Sequence, residues 1–110
     1  MNITWSDFEK ICIRAGTITD VQAFPKAKKP AYKLTIDFGH YGIKHSSAQI
    51  TALYSMEELI GKQVVAVVNF PPKQIADFFS ECLVLGVYDE SNDVVLLQPD
   101  RPVQNGGKIG

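Results

Sequence analysis

Between Lys62 and Val87 the chain reads KQVVAVVNF, PPKQIADFFSE and CLVLGV, two apolar runs around a polar loop that begins with paired prolines. The first run, Val64 to Val68, is almost wholly β-branched, which suits a strand, and it is far too short to span a membrane. A strand with one wet face alternates apolar and polar residues; this run does not, so both of its faces want cover. In a chain of 110 residues a partner subunit is the simplest supplier of that cover. The segment YKLTIDF behaves differently. It alternates cleanly, placing Leu34, Ile36 and Phe38 inward and Lys33, Thr35 and Asp37 outward.

The remaining pattern falls into short elements. Residues 1–10 read as a short helix, with Ser6 and Glu9 at capping-box spacing and Trp5 and Phe8 as apolar contacts. CIRAGTITDVQAF is a long strand whose internal Gly16 marks a bulge or the tight coiling of a small barrel. FPKAKKPAY is a loop, Gly39 to Gly42 a turn, and IKHSSAQI a more polar strand that would present Lys44, a serine and Gln49 on an open face. Ser55 caps a compact helix over SMEELIG, Glu58 completes the box and Gly61 ends it. After the central hairpin come a DESND turn, the strand VVLLQP and a tail rich in Pro, Gly and Asn. Five short strands with one helix between the third and fourth predict an all-β chain. The layout is that of the OB-fold, a five-stranded Greek-key barrel, here with an N-terminal helix and a C-terminal extension. Such barrels bind oligonucleotides on the face of strands two and three, flanked by the loops that here read FPKAKKP and PPKQIADFF.

Length allows one core, so residues 1–110 are expected to form a single domain. No basic-then-apolar leader opens the sequence and no apolar stretch reaches spanning length, so we expect a cytoplasmic protein that does not insert into membranes. Cys12 and Cys82 lack metal-ligand spacing and read as buried thiols. His40 and His45 pair with no cysteine at such spacing, and there is no glycine-rich phosphate loop or nucleophile motif. The prediction is a binding protein with no catalytic residues, metal or cofactor.

Net charge is only −1, but its distribution is uneven. Lys26, Lys28, Lys29, Lys33, Lys44, Lys62 and Lys73 face three acids between residues 26 and 73, a surplus of four positive charges; the rest of the chain carries a deficit of five. Such asymmetry gathers positive potential on one surface, as phosphate binding requires. The alternative is that the lysines only keep loops soluble. Tyr32, Phe70, Phe78 and Phe79 lie among them and offer faces on which bases stack. Two adjacent phenylalanines in a polar loop cannot easily both point inward, so Phe78 and Phe79 are also candidates for apolar peptide or subunit contacts.

DFEKICIRAGTI and NFPPKQIADFFSECLVLG resemble the tRNA-binding OB domain found as a free dimer and at the end of some methionyl-tRNA synthetases. With FPKAKKPAYKLTIDFG, SSAQI and DVVLLQPDRPV…NGGKIG, nearly all of residues 7–110 is similar to the CsaA proteins, described as export-related chaperones. The resemblance implies a homodimer in which residues 1–10 and 93–110 wrap the partner. Trp5, Phe8, Val65, Val67, Leu97, Val103 and Ile109 are the expected dimer-interface residues. It further implies tRNA or another structured RNA as ligand, bound by Lys29, Lys33, Lys44, Ser47, Gln49, Asn69, Lys73 and Ser80. The alternative is a chaperone that holds unfolded precursor proteins at Phe70, Phe78 and Phe79, with the export translocase as a further partner. Three sites depart from the wider group, which has Ser-Gly at Ala48-Gln49, Arg-Gly at Ala76-Asp77 and a glycine at Cys82. An acid at 77 is expected to weaken phosphate contact.

Overall fold

The structure, a computed structural model, describes residues 1–110. Its strands are β1 (Ile13–Ala23), β2 (Tyr32–Asp37), β3 (Ile43–Ala48), β4 (Gln63–Val67), β5 (Lys73–Ile75), β6 (Phe78–Ser80), β7 (Leu83–Val84), β8 (Gly86–Tyr88) and β9 (Val94–Leu96). Two short helices, α1 (Trp5–Glu9) and α2 (Met56–Leu59), accompany them. The main antiparallel sheet runs β3-β2-β1-β4-β7, while β5-β6 and β8-β9 are separate hairpins.

β1 holds the barrel together because it serves two partners in turn. Its first half, Ile13 to Thr17, pairs with β4, and its second half, Thr17 to Ala23, pairs with β2. The register slips between Ile18 and Asp20. The extra residue there bends and twists the strand so that its halves serve different walls. The bulge therefore lies at Thr19 rather than at Gly16. Gly16 answers a different need: a Cβ there would stand 2.6 Å from the Phe38 ring. The two ends of the sheet then approach each other. The Glu81 N–H donates to the His45 carbonyl at 2.7 Å, and the buried Ser46 hydroxyl donates to the Cys82 carbonyl at 3.1 Å. A nearly closed five-stranded barrel results, an OB-type architecture.

Inside, Ile18, Leu34, Ile36, Phe38, Val64 and Leu59 are fully buried, so β2 keeps the alternation read from its sequence and α2 plugs the core with its one buried residue. Ser55 and Glu58 form the expected capping box on α2, and Gly61 follows with φ +87°. On α1 the box is shifted: Thr4 is the cap and Asp7 its reciprocal partner, in place of Ser6 and Glu9.

The continuous apolar run of β4 does have both faces covered, but the same chain supplies the cover. Val65 and Val67 are only 9% and 7% exposed without any partner, so they are core residues and not the dimer-interface residues expected from sequence. Long returns of the chain fasten the edges of these strands. Leu85 donates its N–H to Val65 and accepts from Leu97. The tail binds β1 and β4 directly: Gly106 donates to the Ala15 carbonyl at 2.8 Å, Ile109 donates to Ile13 at 3.0 Å, and the Gln63 amide exchanges two hydrogen bonds with the Val103 backbone.

Candidate nucleic-acid interface

The β1–β2 loop carries Lys26, Lys28 and Lys29 to one wall of a cleft of about 560 Å³; Ser47 of β3, Gln49 just beyond its end, and Lys73 and Gln74 of β5 line the others. Four lysines and no carboxylate form this lining. At its mouth Lys26 Nζ meets Asp77 Oδ2 at 2.8 Å. Their hydrogen bond and mutual charge raise the Lys26 pKa and lower that of Asp77. Asp77 follows Ala76, whose φ of +54° makes the tight turn of the β5–β6 hairpin. Of the residues predicted from sequence for RNA, the structure thus gathers Lys29, Ser47, Gln49 and Lys73 into one cleft.

Lys33 stands beside them, directly across the ladder from Ser47. Its Nζ lies 4.8 Å from the Phe24 ring centre and 5.5 Å from that of Phe78. The aromatic faces hold the ammonium through a cation–π contact. Phe78 also packs edge-on to Phe24, with ring centres 5.4 Å apart. Strand alternation divides the Phe78-Phe79 pair: Phe78 turns toward the barrel and anchors the hairpin, whereas Phe79 points away, paired with Gln74 and 55% exposed. Phe78 is therefore an anchor with little ring surface to offer a peptide.

Three other predicted RNA residues lie elsewhere or are already engaged. Lys44 sits on β3 with the parity of buried Ser46 and Ala48, opposite to Ser47 and Gln49, so it does not join the open face. The Asn69 Oδ1 accepts from the Cys12 N–H at 2.9 Å and its Nδ2 donates to the Lys10 carbonyl at 2.7 Å. That side chain clips the end of α1 to the end of β4, and both halves of its amide are used. Ser80 Oγ accepts from the Ser47 N–H and donates to the Cys82 carbonyl, which makes it part of the barrel closure.

A second opening of about 470 Å³ lies beyond Lys73. It is walled by exposed Phe70, Pro71, Pro72 and exposed Leu83, with Lys73 and Ser80 at its edge. Phe70 and Phe79 thus both remain available to an apolar ligand. Sequence reasoning missed Leu83 here. It also missed Tyr88 and Asn92, which line a third cleft adjoining the lysine-lined one. Tyr88 ends an apolar strand, so its pattern gave no sign that the ring is 70% exposed.

Among the expected dimer-interface residues, Trp5 is 81% exposed and holds half-buried Phe8 edge-to-face at 6.4 Å between ring centres. Leu97 and Val103 are exposed and Ile109 is half-buried. Both cysteines are free thiols. Cys82 is buried, and burial pushes its pKa up to about 11. Glu81 receives the His45 N–H at 2.9 Å and lies 2.9 Å from His45 Nδ1; burial opposes ionisation, yet these contacts hold its carboxyl below the usual range.

An OB-type barrel with a lysine-lined cleft beside β3 is a binding architecture, a fold that takes oligonucleotides or oligosaccharides on this face. The family model described as "Putative tRNA binding domain" matches residues 13–108, and the chain belongs to that family. Among solved structures, the chaperone CsaA from Bacillus anthracis is 53% identical with a TM-score of 0.94 over the whole of both chains. The CsaA chaperone protein from Picrophilus torridus is 55% identical, with a TM-score of 0.93 over 99% of this chain and all of that one. A methionine–tRNA ligase of Nanoarchaeum equitans is 37% identical over 107 residues, 97% of this chain but 13% of the ligase. The chain spans only 13% to 16% of the methionine–tRNA ligases it matches. The resemblances read from the sequence hold. No helix is long and apolar enough to cross a membrane.

Proposed function

We propose that the chain is a non-catalytic, cytoplasmic binding protein that takes structured RNA, with tRNA as the principal ligand, in the cleft between the β1–β2 loop and the β5–β6 hairpin. One observation carries this reading: Lys26, Lys28, Lys29 and Lys73 converge on a cleft free of carboxylates, beside the polar edge of Ser47 and Gln49. The lysines neutralise phosphates, and Lys33, held over Phe24 and Phe78, adds a preorganised charge at the rim. Residues 1–110 act as one domain. Two copies associate through residues 1–10 and 93–110, where Trp5, Phe8, Leu97, Val103 and Ile109 leave apolar surface uncovered. A symmetric pair doubles the number of basic clefts that one folded RNA can engage.

The test is anisotropy titration of labelled bulk tRNA against wild type and Lys29→Ala/Lys73→Ala. Wild type binds at micromolar concentration or tighter, and the double variant binds at least tenfold more weakly. Equal binding by the two would move the RNA site elsewhere.

A second reading is favoured by the apolar opening at Phe70, Pro71, Pro72 and Leu83. It suits an unfolded apolar segment of a precursor protein, delivered to the export translocase; that two similar solved structures are CsaA chaperones supports the chaperone part of this reading. Salt separates the two ligands, because apolar binding holds or strengthens as salt rises while phosphate binding weakens. Phe70→Ala with Phe79→Ala weakens peptide capture and leaves RNA binding nearly unchanged.

A further inference from the structure

The lysine-lined cleft does not end at β3. It continues through Lys29, Ser47 and Gln49, which line both openings, into a cleft of about 420 Å³ that reaches the β8–β9 hairpin. That volume lies within the range of clefts that hold small molecules, about 300–1,000 Å³. The two ends differ in chemistry. Toward the β1–β2 loop the lining is cationic; toward β8–β9 it is Ile50, Leu83, Val84 and Val94, with Tyr88 and Asn92 at the rim.

Resting on the RNA reading above, we infer that this adjoining cleft is a subsite for one unpaired nucleotide, whose base leaves its stack to lie against Tyr88. Three features support it. Tyr88 has the strand parity of buried Leu96 and of Val94, opposite to that of Val95 and of Leu97 in the proposed dimer contact, so it stands on the cleft side of the hairpin, yet it is 70% exposed and offers a stacking face. Asn92 is held in the left-handed region at φ +64° by a tightly tied turn. Asp89 Oδ1 accepts from both the Ser91 and the Asp93 N–H at 2.9 Å, and Asn92 donates its own N–H to the Asp89 carbonyl. The Asn92 carboxamide therefore starts from a fixed position at the rim, facing the same space as Gln49.

Charge sets the direction of the ligand. The hairpin tip carries Asp89, Glu90 and Asp93, which repel a phosphate chain, whereas Lys29 at the other end attracts one. A strand cannot run through such a cleft. Its backbone stays on the lysine side and only the uncharged base enters. Paired bases cannot enter, since both their faces and their edges are occupied within the helix. The subsite selects loops, bulges or ends over continuous duplex.

The test uses two RNA hairpins of equal length, one fully paired in its stem and one carrying a single bulged 2-aminopurine, read by anisotropy and by 2-aminopurine fluorescence. Wild type binds the bulged RNA more tightly and quenches its fluorescence. Tyr88→Ala weakens binding of the bulged RNA roughly fivefold to a hundredfold and abolishes quenching. Its binding of the paired RNA changes less than twofold. Tyr88→Phe retains both signals, and Asn92→Gly, which keeps the backbone turn, weakens only the bulged RNA. If wild type binds both RNAs but Tyr88→Ala matches it on each, the subsite is wrong and the lysine cleft stands as the RNA site. Binding of neither RNA by wild type overturns the subsite together with the RNA reading.

Discussion

Lys26 and Asp77 meet at 2.8 Å across the mouth of the lysine cleft and tie the β1–β2 loop to the turn of the β5–β6 hairpin. The acid that looked from sequence like a simple loss of RNA affinity has a defined partner, and it occupies one of the four cleft lysines. Both side chains are largely exposed, so water screens the pair and it contributes little to folding. Asp77→Asn is therefore expected to leave Tm nearly unchanged. Lys26 becomes free for a phosphate, tRNA affinity rises several-fold, and the slope of log K against log salt steepens by about one. Titrations at a series of salt concentrations read both effects.

Asn69 engages both the oxygen and the nitrogen of its side-chain amide, on Cys12 and Lys10. Asn69→Ala removes two hydrogen bonds that fasten α1 to the end of β4, at a cost of about 1–3 kcal/mol. Denaturant unfolding shows the loss as a lower midpoint, while tRNA affinity, measured well below that midpoint, stays at the wild-type value. A selective loss of RNA binding with unchanged stability would return Asn69 to the interface.

Gly16 tests the packing of the barrel. A methyl group added there meets the Phe38 ring at 2.6 Å and Ile36 at 2.8 Å, both fully buried and without room to move. Gly16→Ala is expected to destabilise by about 1–3 kcal/mol, the range for an overpacked core, and thermal unfolding checks it.

The two thiols should separate by reactivity. Burial raises the Cys82 pKa from an ordinary 9.0 to about 11, so at pH 8 it remains a protonated thiol inside the barrel, while half-buried Cys12 is reachable. A disulfide-exchange reagent at pH 8 is predicted to titrate one thiol quickly in the folded protein and the second only on unfolding. The same shift has a consequence for stability. Between pH 9 and 11 the unfolded chain releases a proton that the folded chain keeps, so stability falls as pH rises through that window; below pH 9 this group has no effect. Cys82→Ala flattens that part of the pH profile.

Much of the fold was legible in the sequence, because its strongest elements carry strong local signals. YKLTIDF alternates, SMEELIG has its own cap, box and terminating glycine, and the order of strands around α2 matches the barrel. β3 was less legible because its pattern is inverted in places: Ile43 is exposed while Ser46 is buried against the Cys82 carbonyl. Lys44 was misassigned to the open face for that reason. The docking of the tail on β1 and Gln63 could not be read from DRPVQNGGKIG, since it is fastened largely through backbone groups of Val103, Gly106 and Ile109 that leave no side-chain period. Asn69 was hidden by distance along the chain, its partner Cys12 lying 57 residues away. In the site itself, lysines in flexible-looking loops could be named, but their convergence depends on the β5–β6 hairpin, which the sequence showed only as a loop.

The most direct measurement is the affinity of purified protein for bulk tRNA at about 50 mM and about 200 mM salt. With Lys26 engaged by Asp77, three cleft lysines and Lys33 at the rim remain for phosphates, and affinity should fall roughly 50- to 150-fold between those conditions. Lys29→Ala/Lys73→Ala should show weaker binding and a shallower dependence. Absence of tRNA binding even at the lower salt, or affinity that ignores salt, would contradict an RNA interface in this cleft.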